Sequence, residues 1–145
     1  MSTPPTDPDC PFCRIVAGSL PSARLWEDDL TVAFLDIRPF SEGHALAVAK
    51  GHWPDLRTVP ARVMGAVAET AHRVGNAVWR VVGADGFTLM QANGEAANQT
   101  VPHFHIHLMP RRDGDGGFRA WRDAKPADPA SLLALAERIR AALQR

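Results

Sequence analysis

Three histidines, His103, His105 and His107, stand at alternate positions in the run His103-Phe104-His105-Ile106-His107-Leu108. Imidazole is the one common side chain that is largely unprotonated yet nucleophilic near neutral pH. It can attack a phosphorus atom without an activating metal, pass a proton, or ligate a transition metal. On an extended strand, residues two apart share a face, so the histidines would line one side while Phe104, Ile106 and Leu108 line the other. Cα atoms two apart on a strand are separated by about 6.7 Å, which puts His103 and His107 about 13 Å from each other and beyond easy reach of one ion. One face suits chemistry; the opposite face suits packing against helices, and that burial sets the register. Histidines that merely decorate a half-exposed strand would explain one such residue better than three in step.

The elements that must position this run are short. After Pro11, the stretch Phe12-Cys13-Arg14-Ile15-Val16-Ala17 predicts a short helix stopped by Gly18. Arg24–Glu27 and Thr31–Leu35 predict two strands around an acidic turn at Asp28-Asp29, and Ala45–Ala49 a buried strand after the loop Ser41-Glu42-Gly43-His44. Between Pro60 and Val82, apolar residues at Val63, Val67, Ala71, Val74 and Val78 mark one face of a long helix, with Thr58 as its cap and Pro60 in its first turn. Residues 87–92 predict a strand, 93–102 a polar loop and 103–109 the histidine strand. Residues 111–126 predict a long surface arm, and Asp128-Pro129 opens a last helix with the stripe Leu132, Leu135, Ile139 and Leu143. Only one pair of successive strands is separated by a long helix. The expected fold is therefore α+β: a mostly antiparallel five-stranded sheet with a long central helix, a short N-terminal helix and a C-terminal helix.

Length and charge narrow the classes further. A chain of 145 residues is one ordinary domain, and 16 basic against 16 acidic residues leave no large basic field to attract nucleic acid. No apolar stretch reaches membrane-spanning length, and residues 1–9, rich in Pro, Thr and Asp, lack the features of a secretory signal. A soluble cytoplasmic protein is expected. The only cysteines, Cys10 and Cys13, suit half of a tetrahedral zinc site, a redox pair, or two idle buried thiols. Trp26, Trp53, Trp79 and Trp121 carry no motif and are assigned to packing. Arg111, Arg112, Arg119, Arg122 and Lys125 form either a solvated face or a group able to reach the outer phosphates of a ligand.

Extended by Met109, the histidine run resembles the His-apolar-His-apolar-His-apolar-apolar signature of the histidine triad (HIT) nucleotide-binding family. Upstream segments strengthen the likeness: Cys10-Pro11-Phe12-Cys13, Phe34-Leu35-Asp36-Ile37-Arg38-Pro39, Gly43-His44-Ala45-Leu46-Ala47-Val48-Ala49-Lys50-Gly51-His52, Asn93-Gly94 and Gln99-Thr100-Val101. Adjacent prolines and the want of an apolar face make residues 1–9 a disordered tail by expectation; the resemblance spans 10–110 as a HIT domain and leaves 111–145 as a C-terminal arm and helix. It implies that His105 is the nucleophile and forms a covalent nucleotidyl-imidazole released by water. His107 and His44 would orient imidazoles, stabilise phosphate charge or protonate the leaving group. Taken alone, His44 is as well explained as a surface loop histidine.

The same resemblance implies that Asn93, Gln99 and Thr100 hold phosphoryl oxygens and that Asp36 accepts hydrogen bonds from ribose hydroxyls, with Ile37, Phe12 and Leu35 as apolar walls for the base. By residue type, these polar positions would more simply form turns or caps. Asn98 stands where the family commonly has glycine. In the bacterial-type branch carrying the N-terminal cysteine pair, His52 and His103 join Cys10 and Cys13 in a closed, structural zinc site, with no cofactor needed for catalysis. The implied activity is a hydrolase or transferase acting at the α-phosphate of a purine nucleoside 5′-phosphate derivative, phosphoramidase-like. Dinucleoside polyphosphate hydrolysis and a nucleotide-binding adaptor with negligible turnover are the alternatives. A histidine at 107, where the galactose-1-phosphate uridylyltransferase branch has glutamine, points to the hydrolase side. A homodimer is implied, without nucleic-acid or membrane partners; Val67, Ala71 and Val74 suit that interface or burial within one protomer. A metal oxygenase using His103 and His105 is disfavoured because no carboxylate follows within five residues.

Overall fold

Five strands, β1 (Arg24–Glu27), β2 (Thr31–Leu35), β3 (Ala45–Ala49), β4 (Gly86–Met90) and β5 (His105–Arg111), pair in the order β1-β2-β3-β5-β4, antiparallel throughout. Among the described residues, helices α1 (Pro11–Ala17), α2 (Ala61–Val82) and α3 (Pro129–Leu143) accompany them. The computed structural model describes residues 3–118, 121 and 123–143.

Strands β2 and β3 read as continuous apolar runs because both of their faces are covered. Ala33, Leu35, Ala45, Ala47 and Ala49 face a core built with Val63, Val67, Ala71, Val74 and Val78 of α2; the small alanines let the helix lie close to the sheet. Val32, Phe34, Leu46 and Val48 face the other way, onto Phe12, Cys13 and Ile15 of α1. Fully burying one valine of the α2 stripe contributes about 1.5–3 kcal/mol, so this face, rather than capping, holds the long helix in place. Leu135, Ala136 and Ile139 of α3 join the first core, closing it.

Helix α2 stops at Gly83, whose φ of 64° and N–H bond to the Trp79 carbonyl at 2.9 Å end it in a left-handed turn. Its start departs from expectation. Pro60 occupies the cap position without a side-chain bond, and the Thr58 hydroxyl donates instead to the Asp55 carbonyl at 3.2 Å. The edge strand also runs from residue 86 to 90 rather than 87 to 92.

The central departure concerns the triad. The strand begins at His105, so His103 lies before the ladder, not within it. Phe104 explains the break: its N–H donates to the Trp53 carbonyl at 2.7 Å and its carbonyl accepts from Ala49 N–H at 3.2 Å, which leaves His103 to turn toward the cysteines. The expected division of faces survives, with Phe104 and Leu108 fully buried in the α2 core. Residues 3–9 carry no helix or strand, yet the His52 N–H donates to the Pro5 carbonyl at 2.7 Å, tying this stretch to the loop after β3.

Candidate functional site

On β5, His105 and His107 point from the same face, and their Nε2 atoms lie 3.3 Å apart. Nδ1 of His105 lies 2.6 Å from the carbonyl oxygen of His103. A carbonyl only accepts, so Nδ1 carries the proton and Nε2 of His105 presents a lone pair. At the other end, Nδ1 of His44 accepts the Phe40 N–H at 2.8 Å, which places the proton of His44 on Nε2. That proton meets Nδ1 of His107 at 3.0 Å, and the hydrogen of His107 is left on Nε2, directed at His105. Two backbone groups thus set the tautomers of three neutral imidazoles.

Burial keeps them neutral. Desolvation, with repulsion from His105 added, lowers His44 and His107 to about 3, and burial lowers His105 as well. Asp36 moves the opposite way, raised by burial to about 6 despite an Arg38 N–H donating to its Oδ1 at 2.8 Å. Its Oδ2 lies 3.5 Å from Nε2 of His44.

His44 owes its position to Gly43. A Cβ there would stand 2.9 Å from Val78 and 3.0 Å from Val82 on α2, at a φ of 93° that disfavours side chains. Ligand atoms of Asp36, His44 and His107 lie within 4.8 Å of one another, the count of a two-histidine, one-carboxylate metal site. Yet with Nδ1 of His44 accepting from Phe40, its Nε2 bears the ring proton and offers no lone pair to a metal. The trio therefore lacks one of the two imidazole lone pairs that such a metal set requires.

The four expected zinc ligands do converge. Cys10 Sγ lies 3.4 Å from Nδ1 of His103, Cys13 Sγ lies 3.4 Å from Nδ1 of His52 and 3.6 Å from Nδ1 of His103, and all four donor atoms fall within 4.8 Å. Such separations match the edges of a tetrahedron with bonds of about 2.0–2.3 Å. Nε2 of His103 donates to the Ala49 carbonyl at 2.6 Å, which frees Nδ1 as a ligand, and Asp7 N–H points at Cys13 Sγ from 3.5 Å. The donor set and its outer hydrogen bonds are therefore compatible with a closed Cys2His2 zinc site.

A cleft of about 770 Å³ opens over His105 and His107. Phe12 stands edge-on to His105, with ring centres 5.0 Å apart, and Asp36, Ile37, Asn98 and Thr100 also line the cleft. Asn93 and Gln99 do not. The Asn93 side chain accepts from Leu56 N–H at 2.7 Å and pairs with Gln91, while Gln99 bridges Gly94 N–H and the Pro54 carbonyl, so both brace the loop. Asn98 has φ 67°, the only left-handed non-glycine among the described residues, which is the physical reason glycine suits that position. Arg111 pairs with Asp115 at 2.8 Å, and Arg112 donates to the Val82 carbonyl at 2.5 Å, so both are used in the fold; Arg119 and Arg122 lie outside the described residues. Sequence reasoning missed Trp121. Rather than serving the core, its ring packs edge-on against His107 at 4.9 Å and His44 at 5.4 Å, a placement with no periodic signal to reveal it.

An antiparallel sheet backed by one long helix, with strand histidines opening on a cleft, defines the histidine triad class of α+β proteins. Residues 17–114 match the HIT domain, and the chain belongs to that family. It is 36% identical over 145 residues to the adenosine 5′-monophosphoramidase of Saccharomyces cerevisiae, covering 99% of this chain and 89% of that protein. It is 40% identical over 107 residues to the adenylylsulfatase of Arabidopsis thaliana, covering 74% of this chain but only 54% of the plant protein, so it spans about half that relative's length. Among solved structures, a zinc-bound histidine triad protein from Mycobacterium smegmatis superposes with a TM-score of 0.80 at 36% identity, covering 94% of each chain.

Proposed function

We propose that this chain is a nucleotide hydrolase that cleaves at the α-phosphate of a purine nucleoside 5′-phosphate derivative, phosphoramidase-like, through a nucleotidyl-His105 intermediate. The observation that carries the reading is the bond from Nδ1–H of His105 to the His103 carbonyl at 2.6 Å, which leaves the lone pair on Nε2, where it accepts the Nε2–H of His107 at 3.3 Å until a phosphoryl group in the cleft takes that place. That nitrogen attacks phosphorus; the bond to the leaving group breaks, and its electron pair departs with the leaving atom, which accepts the hydrogen bond of Nε2–H of His107 and takes its proton from solvent across that bond, so that the ring stays neutral. Water then attacks phosphorus, gives up a proton to solvent and releases Nε2 of His105 with its electron pair. His44 holds His107 in the donating tautomer throughout. Asp36, Ile37, Thr100 and the backbone around Asn98 line the cleft where ribose, base and phosphate would sit; Asn93 and Gln99 act on the phosphate only through the loop they brace.

The yeast relative's named activity supports an amine leaving group, expelled from a phosphoramidate, and the plant relative's name supports sulfate as a second kind. Cys10, Cys13, His52 and His103 would hold a structural zinc that pins α1 to the sheet; bound there, the metal supplies no open coordination position. The exposed edge strand β4, with Leu89 57% exposed, supports a homodimer. Free thiols at Cys10 and Cys13 suit the reducing cytoplasm, and among the described residues no helix is long and apolar enough to cross a membrane. Release of AMP from an AMP-amine conjugate, compared between the unsubstituted chain and His105→Ala, tests the proposal. Equal rates in the two would sink the catalytic claim and leave a binding protein.

A further inference from the structure

Trp121 lies beyond the residues that match the HIT domain, yet it reaches the heart of the cleft. Its ring stands against His107 and His44, and His44 lies 3.5 Å from Asp36, so the indole is placed at the Asp36 end of the cleft. Two further contacts hold its neighbourhood there. Ala127 N–H donates to the Ile37 carbonyl at 2.8 Å, and Arg111, paired with Asp115, lies over the rings of Phe40 and Phe118 at 5.0 and 5.1 Å. Ile37 and Phe118, both lining the cleft, remain 65% and 47% exposed. Large apolar side chains left open beside a carboxylate form a site suited to a flat, apolar group carried on a polar ring.

We propose that Trp121 is a specificity-determining residue that supplies a stacking surface for the nucleobase, and that it favours purines because their two-ring face covers more of the indole. The assignment rests on the nucleotide reading above. With ribose at Asp36 and phosphorus over His105, a base leaving the sugar meets Ile37 on one side and the indole on the other. Trp121 does not touch the reacting atoms and its indole N–H is not acidic near neutral pH, so its contribution falls on binding rather than on chemistry. Base-aromatic stacking of this kind changes affinity by about 10–100-fold on substitution by alanine.

The test measures dissociation constants for AMP and CMP by calorimetry, with kcat and KM for the AMP-amine conjugate, in the unsubstituted chain, Trp121→Ala and Trp121→Phe. Trp121→Ala is expected to weaken AMP by about 10–100-fold and CMP by clearly less, to raise KM by a similar factor, and to leave kcat within about threefold, with Trp121→Phe recovering most of the loss. AMP affinity unchanged in Trp121→Ala, or equal losses for AMP and CMP together with a matching fall in kcat, overturns the stacking role while leaving the nucleotide reading intact. An unsubstituted chain that binds neither nucleotide overturns both.

Discussion

The carbonyl oxygen of His103 lies 2.6 Å from Nδ1 of His105, while the ring of the same His103 faces Cys10 at 3.4 Å. One residue thus joins the thiol cluster to the proposed nucleophile, and Phe12, between the two cysteines, packs on both rings. Cys13→Ser should release zinc, lower Tm by about 10 °C, the equivalent of roughly 3 kcal/mol, and reduce kcat along with it. Metal analysis, calorimetry and kinetics on one preparation check this. Full kcat in a zinc-free Cys13→Ser chain would show that the two sites are independent.

Loss of His107, the proposed donor to the leaving atom, should have an effect that depends on the leaving group. His107→Ala is expected to lower kcat by about 10²–10⁴-fold for an amine leaving group, which must be protonated, and far less for one that departs as a stable anion. Parallel kinetics with an alkylamine and a nitrophenolate conjugate check it, and equal losses on the two would remove His107 from proton transfer.

Acid stability follows from opposed shifts. Asp36, raised from 3.8 to about 6, holds a proton that the unfolded chain has lost, so its contribution is full below pH 3.8 and vanishes as pH rises through about 6. His44 and His107, lowered from 6.5 to about 3, contribute stability present above pH 6.5 and lost as pH falls toward 3. Two imidazoles outweigh one carboxyl, so Tm should decline on acidification below about pH 6, and more steeply in Asp36→Asn. A Tm unchanged from pH 7 to pH 4 is the contrary result.

At Asn98, φ 67° makes a sharp test of backbone conformation. Asn98→Gly should keep Tm within about 2 °C, whereas Asn98→Val, β-branched and forced left-handed, should cost about 1–2 kcal/mol, or several degrees. Thermal melts of both variants decide it, and equal melts would contradict the left-handed assignment.

Gly43→Ala should act on chemistry as well as stability. The added methyl meets Val78 and Val82, so α2 or the loop must shift, costing about 1–3 kcal/mol and moving His44 off the His107 ring. A lower Tm together with a lower kcat is expected; a lower Tm alone would mean that His44 keeps its place.

Much of this arrangement was legible in the residues. Alternation in Phe104-His105-Ile106-His107-Leu108 divides core from cleft as expected, and the valine stripe of α2 packs where its spacing put it. Period says nothing of where a ladder begins, however. His103 leaves the strand because the backbone of Phe104 bonds to Trp53 and Ala49, partners about fifty residues away in sequence. The family resemblance implies phosphate contacts for Asn93 and Gln99, whereas residue type alone favours turns, and Leu56, Gln91 and Pro54 claim their side chains. Trp121 escaped notice because a single contact to a strand distant in sequence has no spacing of its own.

The imidazole row ends at both sides on peptide groups, the Phe40 N–H and the His103 carbonyl. Peptide groups do not ionise at any pH a cell reaches, nor can they exchange giving for taking. The resting orientation of all three rings is therefore written into the main chain. In the cycle proposed above, the same two backbone partners restore the same tautomers once product has left.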